Sequence, residues 1–305
     1  MKILVTGGAG FIGSHVADAY IQAGHQVVVV DNLSTGHLRN LNPKAKFYLV
    51  DIRETPLEQV FEWELPDVVN HHAAQMDVRK SVTDPIYDAE VNILGALRVL
   101  QAAHKYGVKK FIHISSGGAA YGEPEYNPVN EAHPVNPLCP YGITKHTLEH
   151  YLFIWKQLYG LEYAVLRYPN VYGPRQDPQG EAGVTAIFAN KMLLDEPITI
   201  NGDGEQTRDY VYISDIARAN VLALEAQARG IYNLGWGKPV CVNEIFERLR
   251  GLIHYSQEPH YGPGKLGETR HICLDASRAR LDFGWAPSVP LADGLRLTAQ
   301  ALEGS

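Results

Sequence analysis

The spacing Tyr-x-x-x-Lys occurs three times in this 305-residue chain, at Tyr106–Lys110, Tyr141–Lys145 and Tyr261–Lys265. A phenol held beside an ammonium loses its proton more readily, because the positive charge stabilises phenolate. Such a pair can take a proton from an alcohol. Context separates the three. Tyr261–Lys265 encloses Gly262-Pro263-Gly264, which breaks a helix. Tyr106–Lys110 contains Gly107 and runs into apolar Phe111-Ile112-His113-Ile114, the pattern of a helix end followed by a strand. Tyr141 follows Pro140 and opens an amphipathic run through Tyr151, so Tyr141 and Lys145 share one helical face.

The elements that must position this pair alternate. Predicted strands are Lys2–Val5, Gln26–Val30, Lys46–Leu49, Asp67–His71, Lys110–Ile114 and Tyr163–Arg167, with helical periodicity over Ile12–Ala23, Ile86–Tyr106 and Tyr141–Tyr159. This rhythm predicts an α/β fold, a doubly wound parallel sheet. After Tyr172 the pattern gives way to Gly173-Pro174, Asp177-Pro178 and Gly180, a long loop. A strand over Thr207–Ile213, a helix from Asp215 and a strand over Gly230–Leu234 follow, then an irregular remainder with a helix near Val242–Leu252. The expected organisation is a cofactor domain of 1–171 plus about 207–234, and a smaller mixed α/β lobe of about 172–206 plus 235–305.

A net charge of −7 argues against a nucleic-acid or membrane-surface partner held by bulk charge. An anionic ligand would need a local site. Cys139, Cys241 and Cys273 are odd in number and widely spaced, so no disulfide framework or zinc pattern follows. No apolar run approaches membrane-spanning length, and strand-like residues begin at Lys2, which leaves no room for a leader. A cytoplasmic, soluble protein is expected.

Thr6-Gly7-Gly8-Ala9-Gly10-Phe11-Ile12-Gly13 follows the first strand and opens a helix. Glycines there allow a tight turn and bring backbone N–H groups to a pyrophosphate at the helix N-terminus. Asp31 ends the second strand, where a carboxylate accepts from adenosine ribose hydroxyls and repels a 2′-phosphate. NAD is therefore the expected cofactor, over NADP. Asp51 and Ile52 close the third strand and either frame the adenine or simply end the strand. The adjacent His71 and His72 point to opposite strand faces, which disfavours a shared metal.

Strand Phe111–Ile114 runs into Ser115-Ser116-Gly117-Gly118-Ala119-Ala120-Tyr121-Gly122, and ligands of doubly wound sheets lie beyond the carboxyl ends of strands. With the glycine turn and Tyr141–Lys145, the chain resembles the extended short-chain dehydrogenase/reductase superfamily over essentially its whole length. Within it, Tyr168-Pro169-Asn170-Val171-Tyr172-Gly173-Pro174-Arg175, Gly202-Asp203-Gly204 and Thr207-Arg208-Asp209-Tyr210-Val211-Tyr212 look most like nucleotide-sugar 4-epimerases of the UDP-glucose (UDP-galactose) type. The resemblance implies a Rossmann fold and a tightly held NAD. It implies Tyr141 as acid/base, Lys145 as the cation that lowers its pKa and holds the nicotinamide ribose, and a Ser or Thr hydroxyl bridging to the sugar 4-OH.

Here the chain departs from the pattern. The usual hydroxyl lies four residues before the Tyr-Gly pair, and that position is Gly117. Counting from the strand end selects Ser116, with Ser115 the alternative. Relatives that eliminate water or decarboxylate carry Asp or Glu between that hydroxyl and Tyr121. Positions 117–120 are Gly, Gly, Ala and Ala, which can neither protonate a leaving hydroxide nor abstract a carbon-bound proton. Cys139, two residues before Tyr141, reads as packing. What remains is oxidation of an alcohol followed by re-reduction of the ketone.

The resemblance also sets Asn32, Ala73, Ala74, Asn92, Ser115 and Tyr168 along the cofactor, although Asn92 could equally cap a local backbone group and Tyr168 could be a plain buried aromatic. Asn170 and Arg208 fall on the nucleotide diphosphate or sugar, where a guanidinium suits bidentate phosphate recognition. A second-lobe arginine is expected two residues before Gly-Asp. The best match, Lys265-Leu266-Gly267-Glu268, offers Lys265 instead, with Arg270 able to compensate. By the same count Ile272 gates sugar size, and Arg79 and Lys80 either meet a uronate carboxylate or form a solvated loop face. A UDP-sugar substrate and a homodimer formed through helices near Ile86–Tyr106 and Tyr141–Tyr159 complete the expectation. UDP-glucose/UDP-galactose leads as substrate. A UDP-uronate, a UDP-N-acetylhexosamine and a net oxidoreductase that releases NADH are the alternatives.

Overall fold

Val and Ile runs at Val27–Val30, Val68–Val69 and Ile112 are buried on both faces, the signature of strands covered by helices on each side. The computed structural model describes residues 1–178, 183–264 and 269–304. In chain order, β1 (Lys2–Thr6), α1 (Phe11–Gln22), β2 (Gln26–Asp31), β3 (Lys46–Leu49), α2 (Pro56–Glu64) and β4 (Val68–His71) form the first half of the sheet. Then come α3 (Val78–Thr83), α4 (Pro85–Ala89), α5 (Ala96–Lys105), β5 (Lys110–Ser116), α6 (Gly117–Ala120), α7 (Pro140–Tyr159) and β6 (Glu162–Tyr168).

The seven-stranded sheet takes its last strand from farther along, after β7 (Asn170–Tyr172), α8 (Val184–Leu193), β8 (Thr199–Asn201), β9 (Thr207–Arg208), β10 (Tyr210–Tyr212) and α9 (Ile213–Glu225). That strand is β11 (Gly230–Asn233), which pairs with β6. The order is β11-β6-β5-β4-β1-β2-β3, parallel throughout. It reverses between β1 and β4, so a crevice opens there beyond the strand ends.

One sheet face packs on α1 and α9 through Val16, Tyr20 and Ile216, the other on α2, α5 and α7 through Phe61, Leu100 and Leu148. Burying a side chain of this size contributes about 1.5–3 kcal/mol, against about 0–1 kcal/mol for an exposed ion pair, so these two layers hold the sheet.

The remaining elements are β12 (Val240–Cys241), α10 (Val242–Ile253), β13 (His260–Gly262), α11 (Ser277–Phe283) and α12 (Leu291–Glu303). Phe188, Met192, Phe246, Leu249 and Leu295 of α8, α10 and α12 continue the cluster that underlies α1 and α9, so one apolar core runs through both parts of the chain. Among the described residues, no helix is long and apolar enough to cross a membrane.

Several boundaries differ from expectation. Thr207–Ile213 is two strands, not one. Asp209 between them is buried and accepts N–H groups from Trp236, Gly237 and Leu274, which bends the chain. β9 then pairs with β12, and β10 with β7. The helix expected from Asp215 starts two residues earlier, at Ile213, and Asp215 lies in its first turn with its carboxylate on Ser288 and Val289 N–H groups and on Arg218. The 86–106 helix contains a π-helical stretch, Glu90–Gly95. The loop after Tyr172 contains α8, and the irregular remainder contains α11 and α12. Gly294 hides α12 in the sequence. A Cβ there would stand 2.2 Å from the Tyr172 hydroxyl, so close packing requires a residue that argues against a helix.

Candidate active site

The β1–α1 turn is built by close approach. Gly7 has φ +69°, and a Cβ on it would meet Ala73 N at 2.6 Å, while one on Gly13 would meet Gly7 O at 2.2 Å. Gly10 caps α1 without a side chain, and no acidic residue occupies the first turn. The free N–H groups and the positive helix end therefore face the crevice, a cradle that fits a pyrophosphate. Asp31 lies at the end of β2, with Oδ2 accepting from Ala9 N at 3.0 Å and Oδ1 from Leu33 N at 2.8 Å. Burial raises its pKa, against these two bonds. Asn32 donates to Asp51 at 2.8 Å, and Arg53 grips Asp51 with two bonds. Asp51 is held at about 2, chiefly by Arg53.

A cavity of ≈ 1000 Å³ runs from this cradle across the strand ends. Gly7, Gly10, Phe11, Ile12, Gly13, Asp31, Asn32, Asp51, Ile52, Ala73, Ala74, Ser115, Ser116, Tyr141, Lys145, Tyr168, Asn170 and Arg208 all line it. Asn92 does not. In the π-helical stretch, its carboxamide accepts from Gln75 N at 2.8 Å and donates to Gln75 O and Asp88. It braces the cavity wall from behind. Gln75, on the wall, was not anticipated, nor were Gln206 and the Leu33–His37 turn. Only the Ala73-Ala74 run next to Gln75 signals it.

The reacting end is set by two elements. β5 extends two residues further than expected, and Ser116 caps α6 by accepting from Ala119 N at 3.2 Å. The Gly-rich turn is thus a short helix. Strand alternation sends the two serine side chains opposite ways: Ser115 Oγ donates to Glu149 at 2.7 Å, while Ser116 is on the side of Tyr141 and favours its ionised form. Pro140 opens α7 and places Tyr141 and Lys145 one turn apart. Of the other two pairs, Lys110 is buried with its ammonium on Ala223 O at 2.9 Å, and Tyr261 stands on β13.

Electrostatics differ from the simple picture of a lysine that acidifies a tyrosine. Burial is the largest influence on Tyr141 and raises its pKa; Cys139 and Asp88 add to this, and the Ser116 hydrogen bond opposes it. Lys145, 4 % exposed, is lowered by burial to about 8, with Asp88 and Glu149 working to keep it charged. His71, His72 and His113 beside it are pushed down by burial and stay neutral. The phenol therefore keeps its proton, and positive charge added to the cavity would favour its ionised form.

Asn170 faces Gly118, where a Cβ would stand at an ordinary 3.7 Å from its Oδ1. Arg208 Nη1 donates to Thr207 O and Arg270 O at 2.9 and 3.2 Å. Arg270 itself does not line the cavity: its guanidinium meets Asp203 at 2.7 Å. Lys265 lies outside the described residues. Ile272 is buried against Tyr121, Val129 and Leu274, away from the cavity, whereas Thr269 does line it. Among the described residues, no group of three His, Cys, Asp or Glu side chains could hold a metal ion.

Residues 3–235 match the model of the NAD dependent epimerase/dehydratase family. A putative UDP-glucose 4-epimerase of Methanocaldococcus jannaschii is 48% identical over 294 residues, 96% of each chain. The UDP-glucose 4-epimerase of Thermotoga maritima, solved with UDP-glucose, superimposes with a TM-score of 0.98 at 49% identity, covering 100% of this chain and 99% of that one. That of Thermus thermophilus, complexed with NAD, gives 0.96 at 42%, covering 100% of both. Glycine cradle, acidic β2 end, Ser116–Tyr141–Lys145 constellation and whole-chain likeness agree: the chain belongs to the NAD-dependent epimerase/dehydratase family.

Proposed function

We propose that this protein inverts C4 of a UDP-hexose, interconverting UDP-glucose and UDP-galactose. One observation carries the reading. Ser116 and Tyr141 both line the cavity and the serine side chain favours the ionised phenol, Lys145 is one turn from Tyr141, and positions 117–120 offer no acid or base. Such a site can move a proton on and off one alcohol, and it lacks a second group for elimination. Similarity over the full length to proteins named UDP-glucose 4-epimerase supports the same choice.

In this reading Tyr141 takes the 4-OH proton and returns it, and Ser116 orients that hydroxyl. Lys145 supplies the positive charge against which the phenolate forms. NAD, when bound, supplies the hydride acceptor at C4, the later hydride donor, and the added positive charge. The glycine turn, Asp31 and the strand-end residues Ala73 and Ala74 would hold it, while Asn170 and Arg208 would meet the sugar nucleotide. The reading includes division into a cofactor part (1–171 with about 207–234) and a sugar-nucleotide part, a cytoplasmic setting and a role in galactose use. Leu94, Ile143, Phe153 and Leu158 are exposed apolar side chains on and beside α5 and α7, which a four-helix contact in a homodimer would cover.

The test is an NMR assay of purified protein, without added NAD, against UDP-glucose, UDP-glucuronate and UDP-N-acetylglucosamine in parallel. UDP-glucose is expected to equilibrate with UDP-galactose fastest. Faster turnover of the uronate or acetamido sugar would reassign the substrate, and stoichiometric release of NADH would reassign the reaction.

A further inference from the structure

Glu149 stands one helical turn beyond Lys145 on α7 and is 3 % exposed. Its carboxylate has no solvent role. Oε1 accepts from Ser115 Oγ at 2.7 Å and from Arg167 Nε at 3.0 Å; Oε2 accepts from Arg167 Nη2 at 2.5 Å and meets His146 Nδ1 at 3.0 Å. Arg167, 2 % exposed, has its other amino group on the Tyr121 hydroxyl at 2.7 Å, and that hydroxyl donates to Asn233 of β11. One buried anion thus joins α7 to the carboxyl ends of β5 and β6.

Each joined residue is next to one that lines the cavity: Ser115 precedes Ser116, Arg167 precedes Tyr168, and α7 carries Tyr141 and Lys145. Burying a charge this deeply is costly unless every oxygen is matched, and replacing such a pair by apolar residues is often neutral for stability. Stability alone gives a weak reason for an ion pair at this junction. Rigid register between three element ends is a better one, since misplacement by about 1 Å can cost roughly 100-fold in rate.

We propose that Glu149 is a positioning residue for the Ser116–Tyr141–Lys145 centre, clamping the ends of β5 and β6 to α7 through Ser115 and Arg167. The proposal rests on the catalytic reading of that centre. Glu149 also acts on Lys145 through its field. With Asp88 of α4 it is one of two carboxylates that raise the Lys145 pKa, while His71, His72 and His113 on the neighbouring strand ends stay neutral and Arg167 and His146 face Glu149 itself.

Three variants test it: Ser115→Ala, which leaves the ion pair intact, Glu149→Gln, and Tyr141→Phe as the control on the centre. In the two clamp variants kcat is expected to fall about 10- to 100-fold; in Glu149→Gln, whose side chain does not line the cavity, KM for the UDP-sugar and NAD retention should stay within about twofold of the wild type. In Glu149→Gln the alkaline limb of the kcat–pH profile should also move to lower pH. A purely structural clamp would lower the melting temperature and leave both readouts unmoved in the folded enzyme. Should Glu149→Gln not fold, Ser115→Ala alone decides. Wild-type kcat in folded clamp variants, with Tyr141→Phe inactive, overturns this proposal only. Full activity in Tyr141→Phe overturns the catalytic reading beneath it.

Discussion

Thr144 Oγ1 donates to Asp88 Oδ2 across 2.8 Å, tying the residue before Lys145 to a carboxylate with no exposed surface. Gln75 and Asn92 complete its shell through Oδ1. All three partners are neutral, so the charge of Asp88 acts outward: it raises the pKa of both Tyr141 and Lys145. Asp88→Asn keeps the shape and removes the charge. Both the acid and alkaline limbs of the kcat/KM–pH profile are expected to move to lower pH, since the phenol and the ammonium each lose a proton more easily. Unmoved limbs in a folded variant would mean that Asp88 does not act on the pair.

Ser116 and Ser115 should separate by mechanism as they do by direction. If Ser116 orients the reacting hydroxyl as proposed, Ser116→Ala removes a donor to the charge developing there and should cost roughly 10²–10³ in kcat. Ser116→Thr keeps the hydroxyl and the cap on Ala119, and should recover most of the rate. Steady-state kinetics check this; equal loss in both variants would point to packing at α6, and not to the hydroxyl.

How legible was this site? The cradle and the Tyr–Lys helix were, because both rest on local rules: glycine where a Cβ has no room, and side chains one turn apart on a helix. The strands were too, since Val-rich runs bury both faces, although β5 runs on to Ser116. What could not be read were contacts between residues far apart in the chain. Nothing local marks Asp88 as the neighbour of Thr144, or Glu149 as the partner of Ser115 and Arg167. Local rules also misled. The Tyr-x-x-x-Lys spacing suggested a phenol acidified by its lysine, but burial is the largest influence on the Tyr141 phenol and raises its pKa. At Asp209 a buried carboxylate split what alternation presented as one strand.

Gly13→Ala tests the cradle. Its new Cβ would overlap Gly7 O, and the helix N-terminus must move away from the turn. Overpacking of this kind costs about 1–3 kcal/mol, so NAD affinity is expected to drop roughly 10- to 100-fold. Fluorescence titration of the nucleotide-stripped protein measures it directly; wild-type affinity would place the pyrophosphate elsewhere.

The paired substitution Phe153→Glu and Leu158→Glu puts charges on the exposed face of α7, where both native side chains are more than half exposed. If that face meets a second copy, like charges facing each other across it will split the dimer. Light scattering should report a dimer mass for the native chain and a monomer mass for the variant. A concentration-independent monomer in the native chain would remove the four-helix contact.

Glu64, far from the cavity, should contribute to acid sensitivity alongside Asp51 and Glu149. Its carboxylate meets Lys2 at 3.1 Å and Tyr48 Oη at 2.6 Å, and also pairs with Lys46, thereby joining α2 to β1 and β3. Burial alone would raise its pKa, but the hydrogen bonds from Lys46, Tyr48 and Lys2 outweigh burial and hold it at about 2. A depressed carboxylate contributes stability above its unfolded pKa of about 4.5 and loses it as pH falls toward the folded value. Lys46 is mostly exposed, so solvent screening leaves a contribution of about 1–2 kcal/mol. Glu64→Gln should therefore be less stable than the native chain by that amount at pH 7. The gap, read from denaturant midpoints, should narrow steadily below pH 4.5 as the native carboxylate takes up its proton. A gap that is constant or widens on acidification would mean the three donors do not favour the charged form.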